Sequence, residues 1–282
     1  VGGGHGGPLA LKWTGSRLVA RDAGSPLRRG LADGQARGAG LWLVGGYRRP
    51  TWGAEISPLL GRYVNNVFKK EPVAISPRVN AAVADVATLS DGGGYAVGSY
   101  LDQGFWKALI LKRKNGRWVR NDPFPRGGSG LLGIARTPGG TAWAVGWRTQ
   151  QGTMRPLILR NVKGAWRTVA PGAVPPGTAV LTDISMPGNG KGWAIGYLVK
   201  TNGARHFPFV LKWNGKRWTR EALPGVGGSS IPQSLDAAAN GELWIAGTQL
   251  ANENRETRGF VSHREAGKWT HRYIDTPPAV RS

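Results

Sequence analysis

The sequence predicts an all-β protein, a β-propeller of about six four-stranded blades with the first blade incomplete in this chain. A short apolar strand ending in glycine recurs at intervals of roughly fifty residues, and a β-hairpin follows each copy. The hairpin's second strand begins near an aromatic residue. Four-stranded units at such a period are typical of propeller blades, which bury both faces only against neighbouring blades.

The first element of the repeat is the apolar strand that ends in glycine, as in Gly94-Tyr95-Ala96-Val97-Gly98. The repeat glycines are spaced by 53, 48, 50 and 51 residues and are Gly45, Gly98, Gly146, Gly196 and Gly247. A weaker strand is predicted before four of these copies, around residues 83–87, 132–135, 181–185 and 235–238. With the hairpin, this gives four strands per unit.

The second element is the hairpin, which occurs six times. In two copies Asn115-Gly116 and Asn214-Gly215 separate the strands, and Asn-Gly favours a type I′ turn because both central residues need positive φ. Eight tryptophans occupy two repeat positions, and we predict that they form the core between blades. They are Trp42, Trp118, Trp143, Trp166, Trp193, Trp218, Trp244 and Trp269.

We predict one propeller domain over residues 1–282. Val1-Gly2 aligns with Val97-Gly98, so the first copy begins midway through its second strand. Either the ring closes imperfectly or the chain is part of a longer polypeptide. The predicted repeat units span approximately residues 1–22, 23–72, 73–122, 123–170, 171–222 and 223–275.

Composition restricts the function classes. The net charge of +22 favours an acidic partner, either an acidic polymer or an acidic protein surface, although dispersed charge is also typical of a solvated surface. The chain has no cysteine, which excludes disulfides and cysteine-based metal sites. Four histidines without metal-ligand spacing lead us to predict no metal and no cofactor. No apolar run is long enough for a transmembrane segment.

Two sets of equivalent residues follow from the repeat. Carboxylates on the innermost strand are expected to accept backbone N–H bonds, with a ligand site at the channel mouth as the alternative. They are Asp33, Asp85, Asp183 and Asp236, and Gly133 replaces them in one blade. Basic residues that precede the fourth-strand aromatic by six positions are expected to cover it with their stems. They are Lys12, Arg62, Lys112, Arg160, Lys212 and His263.

The residues that the repeat does not explain are the better candidates for a binding face. Loops predicted after each second strand interleave aromatic and basic side chains, which can stack on sugars or bases and hold anionic groups. We expect these residues to lie on one face, although the loops could instead fold back over the blades. The candidates are Arg48, Arg49, Trp52, Trp106, Lys107, Trp147, Arg148, Arg155 and Arg205.

The Trp-Ala-Val-Gly strand, the following Pro-Leu-Ile-Leu-Arg and the later Asn-Gly-x-x-Trp resemble the repeats of secreted bacterial propellers of the actinobacterial type. More distantly, they are similar to photosystem II stability and assembly factors, which implies a non-enzymatic assembly role. The chain also resembles Asp-box propellers, but it departs from their motif. Trp213 stands where the Asp would precede Trp218, and Arg113 where it would precede Trp118. A sialidase site is therefore not implied.

Together these features predict a non-enzymatic binding or scaffold propeller whose basic, aromatic face binds an anionic glycan, nucleic acid or acidic protein. One alternative is a polysaccharide-active enzyme, a hydrolase or lyase, that uses the inner-strand carboxylates as acid and base. Another is a structural or assembly subunit of a larger complex. The resemblance to exported propellers implies a secreted or cell-surface protein, although no signal peptide is visible in the chain.

Overall fold

The computed structural model describes residues 2–4, 7–13, 18–22, 29–37, 40–48, 56–64, 67–76, 79–88, 92–121, 127–172, 174–200, 205–227, 229–251 and 256–274. Side chains are described from residue 56 onward, apart from 63–68, 251, 256 and 257. All helix and strand residues in these ranges are β-strand, which confirms the predicted all-β class. Within the same ranges, no helix has the length and hydropathy of a membrane span.

The chain divides into two compact units, residues 1–134 and 135–282. The strands that begin in the first unit are β1 (Gly2–Gly4), β2 (Gly7–Trp13), β3 (Leu18–Asp22), β4 (Arg29–Arg37), β5 (Gly40–Arg48), β6 (Ile56–Val64), β7 (Val67–Lys70), β8 (Val73–Ala74), β9 (Ala81–Thr88), β10 (Gly94–Asp102), β11 (Phe105–Lys114), β12 (Arg117–Arg120) and β13 (Ser129–Arg136). Their sheets have the orders β1-β2-β3, β4-β5-β6-β7 and β8-β12-β11-β10-β9, and β13 starts the next sheet.

The second unit contains the remaining strands. They are β14 (Ala142–Gln150), β15 (Thr153–Val162), β16 (Ala165–Val169), β17 (Thr178–Gly188), β18 (Lys191–Val199), β19 (His206–Trp213), β20 (Trp218–Glu221), β21 (Ser229–Ala237), β22 (Leu243–Ala251), β23 (Glu256–Glu265) and β24 (Lys268–Ile274). The sheet orders are β13-β14-β15-β16, β17-β18-β19-β20 and β21-β22-β23-β24. Each is a four-stranded meander with the strand order of a propeller blade. The number of blades in a ring and the single domain stay predictions.

The repeat glycine is required by a bulge in the innermost strand. The pairing of β9 with β10 shifts register between Val97 and Gly98. A Cβ atom added to Gly98 would lie 2.0 Å from the carbonyl oxygen of Ala82, and one added to Gly196 would lie 2.1 Å from that of Val180. Because a carbonyl inside a sheet cannot retreat without losing ladder hydrogen bonds, only glycine fits at these positions.

Two-residue turns close most hairpins. The φ angles of Asn115 and Gly116 are 50° and 74°, as a type I′ turn requires. Gln103-Gly104 and Gln151-Gly152 have the same signs of φ and join second strands to third strands. The prediction that Trp106, Lys107, Trp147, Arg148 and Arg155 lie in loops after second strands is therefore wrong: they lie in strands that continue to a two-residue turn.

Tryptophans dominate the described core. Five of the eight predicted core tryptophans are buried, namely Trp118, Trp143, Trp166, Trp193 and Trp218. Trp269 is half-buried against the core between β17–β20 and β21–β24, and the side chain of Trp42 lies outside the described residues. The prediction is wrong for Trp244, which is 47% exposed. Trp244 is therefore more exposed than Trp143 and Trp193 at the equivalent position.

Two inner-strand carboxylates join one sheet to the next. Asp85 Oδ1 accepts a bond of 2.6 Å from the N–H of Val86, and its Oδ2 accepts one of 2.6 Å from the N–H of Ile134 on β13. Asp183 does the same, at 2.7 Å from Ile184 and 2.7 Å from Leu235 on β21. Each carboxylate thus fixes the position of the following sheet's innermost strand relative to its own strand.

A second connection lies at the ends of the fourth strands. The buried Glu71, just after β7, accepts two bonds of 2.8 Å from the guanidinium of Arg113 on β11 and one of 2.9 Å from Trp118 Nε1. Arg62 Nε lies 3.1 Å from the same carboxylate. The pair with Glu71 raises the pKa of Arg113. Glu221 on β20 repeats the arrangement, 2.8 Å from Arg264 on β23.

We predict that Asp183→Ala lowers the free energy of unfolding by about 1–3 kcal/mol, because the N–H groups of Ile184 and Leu235 lose their acceptor. Urea denaturation followed by tryptophan fluorescence measures the change. Ser234→Ala is the matched control, since Ser234 occupies the same bulge position in β21 without a carboxylate. Equal effects of the two variants would contradict this role of Asp183.

We also predict that Glu71→Ala costs about 3–5 kcal/mol, because it leaves the guanidinium of Arg113 buried without its counter-charge. Glu71→Gln should cost less, since the amide oxygen still accepts from Trp118 Nε1. Chemical denaturation of both variants tests this, with the exposed Glu265→Ala as the control. A loss below about 1 kcal/mol for Glu71→Ala would show that water replaces the pair.

Candidate functional site

The sheet β21–β24 has one covered face and one exposed face. Its covered face packs Leu235, Leu243, Ile245 and Phe260 against β18 and β19. The other face alternates with these residues along each strand. Its exposed members are Ser234, Asp236, Trp244, Ala246, Thr270 and Arg272. An exposed face that carries a large aromatic and several charged side chains is the strongest candidate site in the described residues.

Strand register orders this face into two rows. The first row, across the four strands, is Asp236, Trp244, His263 and Thr270. The second row is Ser234, Ala246, Val261 and Arg272. Residues directly opposite one another on adjacent strands have Cβ atoms about 4.5–5.5 Å apart. Each side chain in a row is therefore within contact range of its neighbour.

Trp244 is held in place by two neighbours. Its indole stacks on the imidazole of His263, with ring centroids 3.8 Å apart and planes inclined by 16°. Its Nε1 donates to Glu242 Oε1 at 3.2 Å, and His263 Nε2 lies 2.8 Å from the same oxygen. Because His263 covers the indole from β23, the free face of the ring is turned towards β21, where Asp236 is its register partner.

Two carboxylates lie beside the indole, Asp236 on the side of its free face and Glu242 at its Nε1 edge. The hydrogen bonds from His263 and Trp244 lower the pKa of Glu242, so its carboxylate is ionised at neutral pH. The carbonyl of Glu242 accepts a bond of 2.9 Å from the N–H of Ala238, which places Glu242 one row beyond Asp236 on the same face. Such diagonal neighbours have α-carbons about 7–8 Å apart. Asp236 Oδ1 accepts from the N–H of Ala237 at 2.9 Å.

Both carboxylates depart from the repeat. The register partners of the second-strand aromatic in other sheets are neutral, namely Gln35, Ala87 and Ser185. Two positions before that aromatic, the other sheets have Gly40, Gly93, Thr141 or Lys191, and this sheet has Glu242.

The structure corrects the predicted grouping of Asp236 with Asp85 and Asp183. The bulge in β21 lies between Pro232 and Ser234, so Ser234 holds the equivalent position. Asp33 lies in β4 at the bulge, opposite Val44.

Some predicted binding residues lie outside the described part of the chain. Arg49 and Trp52 are among them, and of Arg48 only the backbone, at the end of β5, is described. In the first unit, Trp106 on β11 is 38% exposed and its neighbour Phe105 is 61% exposed. Lys107 Nζ lies 2.5 Å from Asp102 Oδ2, and this hydrogen bond raises the pKa of Lys107.

The predicted residues of the second unit differ in their surroundings. The guanidinium of Arg155 donates to the carbonyls of Pro175 at 2.9 Å and Gly177 at 2.7 Å, so it holds the segment before β17. Trp147 and Arg148 are half-buried on β14, and Arg205 is exposed just before β19. A binding face shared by the predicted residues stays a prediction.

The repeated basic residues cover a different aromatic from the one predicted. Register sets Lys112 opposite Tyr95 and Arg160 opposite Trp143. Arg160 Cζ lies 5.2 Å from the ring centroid of Trp143. The covered aromatic is therefore that of the second strand rather than the fourth. In β21–β24 the equivalent contact is the stacking of His263 on Trp244, where an imidazole replaces the lysine or arginine side chain of the other sheets. Comparing equivalent positions among the repeats could have singled out Glu242 and His263.

No family model and no curated protein matches the chain. Among solved structures, an endo-arabinanase of family 43 from Bacillus licheniformis is 12% identical, with 84% of this chain and 95% of that chain covered and a TM-score of 0.44. An endo-1,4-β-xylanase from Bacteroides thetaiotaomicron is 9% identical, with 86% and 94% covered and a TM-score of 0.48. The YCF48 protein bound to a D1 peptide is 13% identical, with 72% of each chain covered and a TM-score of 0.39.

These findings correct the predicted function. Several of the structures found are glycoside hydrolases, so the prediction of a non-enzymatic binding scaffold is withdrawn. YCF48 agrees with the predicted distant similarity to assembly-factor propellers. The actinobacterial resemblance stays a prediction. At these identities the likeness concerns strand arrangement, so no residue role is taken from any of these proteins.

We predict that Trp244→Ala leaves the free energy of unfolding within about 1 kcal/mol of the original protein, because an exposed indole on this face adds little to the core. Trp193→Ala, at the same repeat position in β18, should cost about 3–5 kcal/mol because Trp193 is fully buried. Thermal and urea denaturation compare the two. A large loss for Trp244→Ala would mean that another surface covers this face.

Proposed function

We propose that the protein is a polysaccharide-active enzyme, a glycoside hydrolase, and that the exposed face of β21–β24 is its active site. The observation that carries the proposal is the free face of Trp244. Stacking on His263 and a hydrogen bond to Glu242 fix the indole in one orientation, with Asp236 on its free side. A fixed, exposed indole is a platform for the apolar face of a sugar ring, and little entropy is lost when it binds.

The two carboxylates supply the acid and the base. Glycoside hydrolysis requires such a pair on either side of the scissile bond, about 6.5–9.5 Å apart when water attacks directly. As diagonal neighbours on one face, Asp236 and Glu242 have α-carbons about 7–8 Å apart, so their side chains can bring the carboxyl groups to such a separation. Asp85 and Asp183 are less suited to the reaction, because each already accepts two backbone N–H groups at 2.6–2.7 Å. Asp236 thus keeps the inner-strand role that the sequence suggested, with Glu242 as its partner.

The proposed reaction is a single displacement. Asp236 donates its proton to the glycosidic oxygen as the bond from that oxygen to the anomeric carbon breaks. A water molecule adds to the anomeric carbon from the opposite side and gives its proton to Glu242. The products are two sugar chains, with the anomeric configuration inverted, and later proton exchange with solvent restores both carboxyl groups. The low pKa of Glu242 keeps this base ionised in mildly acidic solution.

The test is release of new reducing ends from a panel of purified polysaccharides, with and without acidic sugars, across mildly acidic to neutral pH. We expect Asp236→Asn and Glu242→Gln each to lower kcat by about 10²–10⁴-fold. Asp102→Asn, which changes a solvent-accessible carboxylate on β10, outside the sheet β21–β24, should leave kcat unchanged. Proton NMR of the first product formed should show the inverted anomer.

Two outcomes would overturn the proposal. One is the absence of new reducing ends from every polysaccharide in the panel. The other is full activity in both carboxylate variants, which would place the reaction elsewhere. In either case the polar residues of this face would serve only its solubility. Circular dichroism of each variant separates loss of chemistry from loss of fold.

A further inference from the structure

We infer that Arg148 and Arg155 form a binding site for a tetrahedral oxyanion, a sulfate or phosphate group. The two residues are direct register partners on β14 and β15, close to the turn at Gln151-Gly152 that joins these strands. The site lies in a different sheet from β21–β24. The inference therefore goes beyond the proposed function and does not depend on it.

The two arginines place like charges side by side. Direct partners on adjacent strands have Cβ atoms about 4.5–5.5 Å apart, where like charges repel each other. Both side chains are half-buried, so solvent screens this repulsion less than it would at a fully exposed position. Within the described part of the chain, no carboxylate forms an ion pair with either arginine. This hairpin therefore holds two adjacent positive charges that those residues do not neutralise.

Arg148 lacks an acceptor for its guanidinium. Among the described residues it makes no hydrogen bond, although its Nε atom is buried. Two other arginines also have a buried Nε without an acceptor, but each has a partner of another kind. Arg160 lies over the ring of Trp143, and Arg264 forms an ion pair with Glu221. A buried N–H group without an acceptor is unfavourable, so Arg148 is the donor that a bound anion would satisfy.

Arg155 presents its remaining donors in a fixed orientation. Its guanidinium donates to the carbonyls of Pro175 at 2.9 Å, Gly177 at 2.7 Å and Val174 at 3.3 Å. These bonds use only part of the five N–H donors of an arginine. Because the side chain is already held in place, an anion that accepts from the other donors orders little further structure when it binds.

The equivalent pair in four other sheets has no more than one cation. The pairs are Tyr47 with Ser57, Tyr100 with Lys107, Leu198 with Phe207 and Gln249 with Arg258. Lys107 is paired with Asp102, and Arg258 Nε donates to Gln249 Oε1 at 2.8 Å. The position of Asp102 is occupied by Gln150 in β14. This hairpin thus has a second guanidinium and lacks the carboxylate, so a ligand anion would supply the missing charge.

Two adjacent guanidiniums suit a tetrahedral oxyanion better than a carboxylate. One guanidinium binds a carboxylate through two parallel N–H···O bonds, which occupy both carboxylate oxygens. A sulfate or phosphate group has at least three acceptor oxygens, so it can accept from both arginines at once. Gln150 and Thr153 come next on the same face, towards the turn. Their amide and hydroxyl groups can donate to a further oxygen.

The experiment titrates the full chain with sodium sulfate, sodium phosphate and sodium acetate by calorimetry, at constant ionic strength set with sodium chloride. We expect sulfate and phosphate each to bind about tenfold or more tightly than acetate, because acetate can satisfy only one guanidinium. Arg148→Gln should weaken binding of sulfate and phosphate by about tenfold or more. Glucose 6-sulfate and glucose 6-phosphate distinguish the source of the group. Affinities near those of the free ions indicate a site for an ester of a larger ligand, and much lower affinities indicate a site for the free ion.

Arg148→Glu tests the charge argument without a ligand. Because Arg148 makes no hydrogen bond among the described residues, its replacement removes no such bond from the fold, and the new carboxylate lies opposite Arg155. We expect a higher melting temperature than that of the original protein in chloride buffer, since opposite charges replace like charges on adjacent strands. We also expect sulfate binding to be lost.

Arg167→Gln is the matched control, because Arg167 is exposed on β16 and also lies opposite an arginine, Arg160. It removes the same charge and should leave anion binding unchanged. The inference is overturned if neither sulfate nor phosphate binds, if acetate binds as tightly, or if the Arg148→Gln and Arg167→Gln variants behave alike. Unchanged sulfate binding after Arg148→Glu would also contradict it.

Discussion

The constraint on which the described structure depends is that a blade-like sheet has two apolar faces and must cover each with another sheet. Hydrophobic packing holds the sheets together but does not fix how far one sheet is shifted along its neighbour. The carboxylates of Asp85 and Asp183 do this, because each accepts one N–H from its own strand and one from the following sheet. The bulge that the repeat glycine permits places each carboxylate at the required point.

Where these carboxylates are replaced, the local structure changes. Val169 stands at the position of Glu71, and the buried Nε1 of Trp218 has no hydrogen-bond partner in the described structure, whereas Trp118 Nε1 donates to Glu71. The rings of Trp143, Trp213 and Trp218 lie 5.0–5.8 Å apart there, so aromatic packing carries that interface. In β21–β24 both carboxylates are also replaced, and Trp244 is 47% exposed.

The repeat pattern was enough to predict the strand class, the four-stranded units and the Asn115-Gly116 turn, because these depend on local spacing and on backbone φ. It placed Asp236 wrongly, because Asp236 stands 11 residues before its repeat glycine, whereas Asp85 and Asp183 stand 13 residues before theirs, and Ser234 has the 13-residue spacing. It also could not show that Trp244 is exposed while Trp193 is buried. That difference depends on whether a second sheet lies against the face, which no local pattern reports.

The position of the site follows from how repeats accommodate function. A side chain that serves the packing of sheets recurs at its position, since every interface needs it, and a side chain that serves a ligand has no reason to recur. Asp236 and Glu242 each replace a residue of different charge or polarity at equivalent positions, and both lie in β21–β24. Trp244 occupies a position of the repeat that is aromatic in the other sheets too. Because its side chain is exposed, its indole is available to a ligand instead of forming part of the core. One repeated residue and two substitutions are therefore enough to turn a packing face into a candidate sugar-binding face, without any change in the course of the backbone.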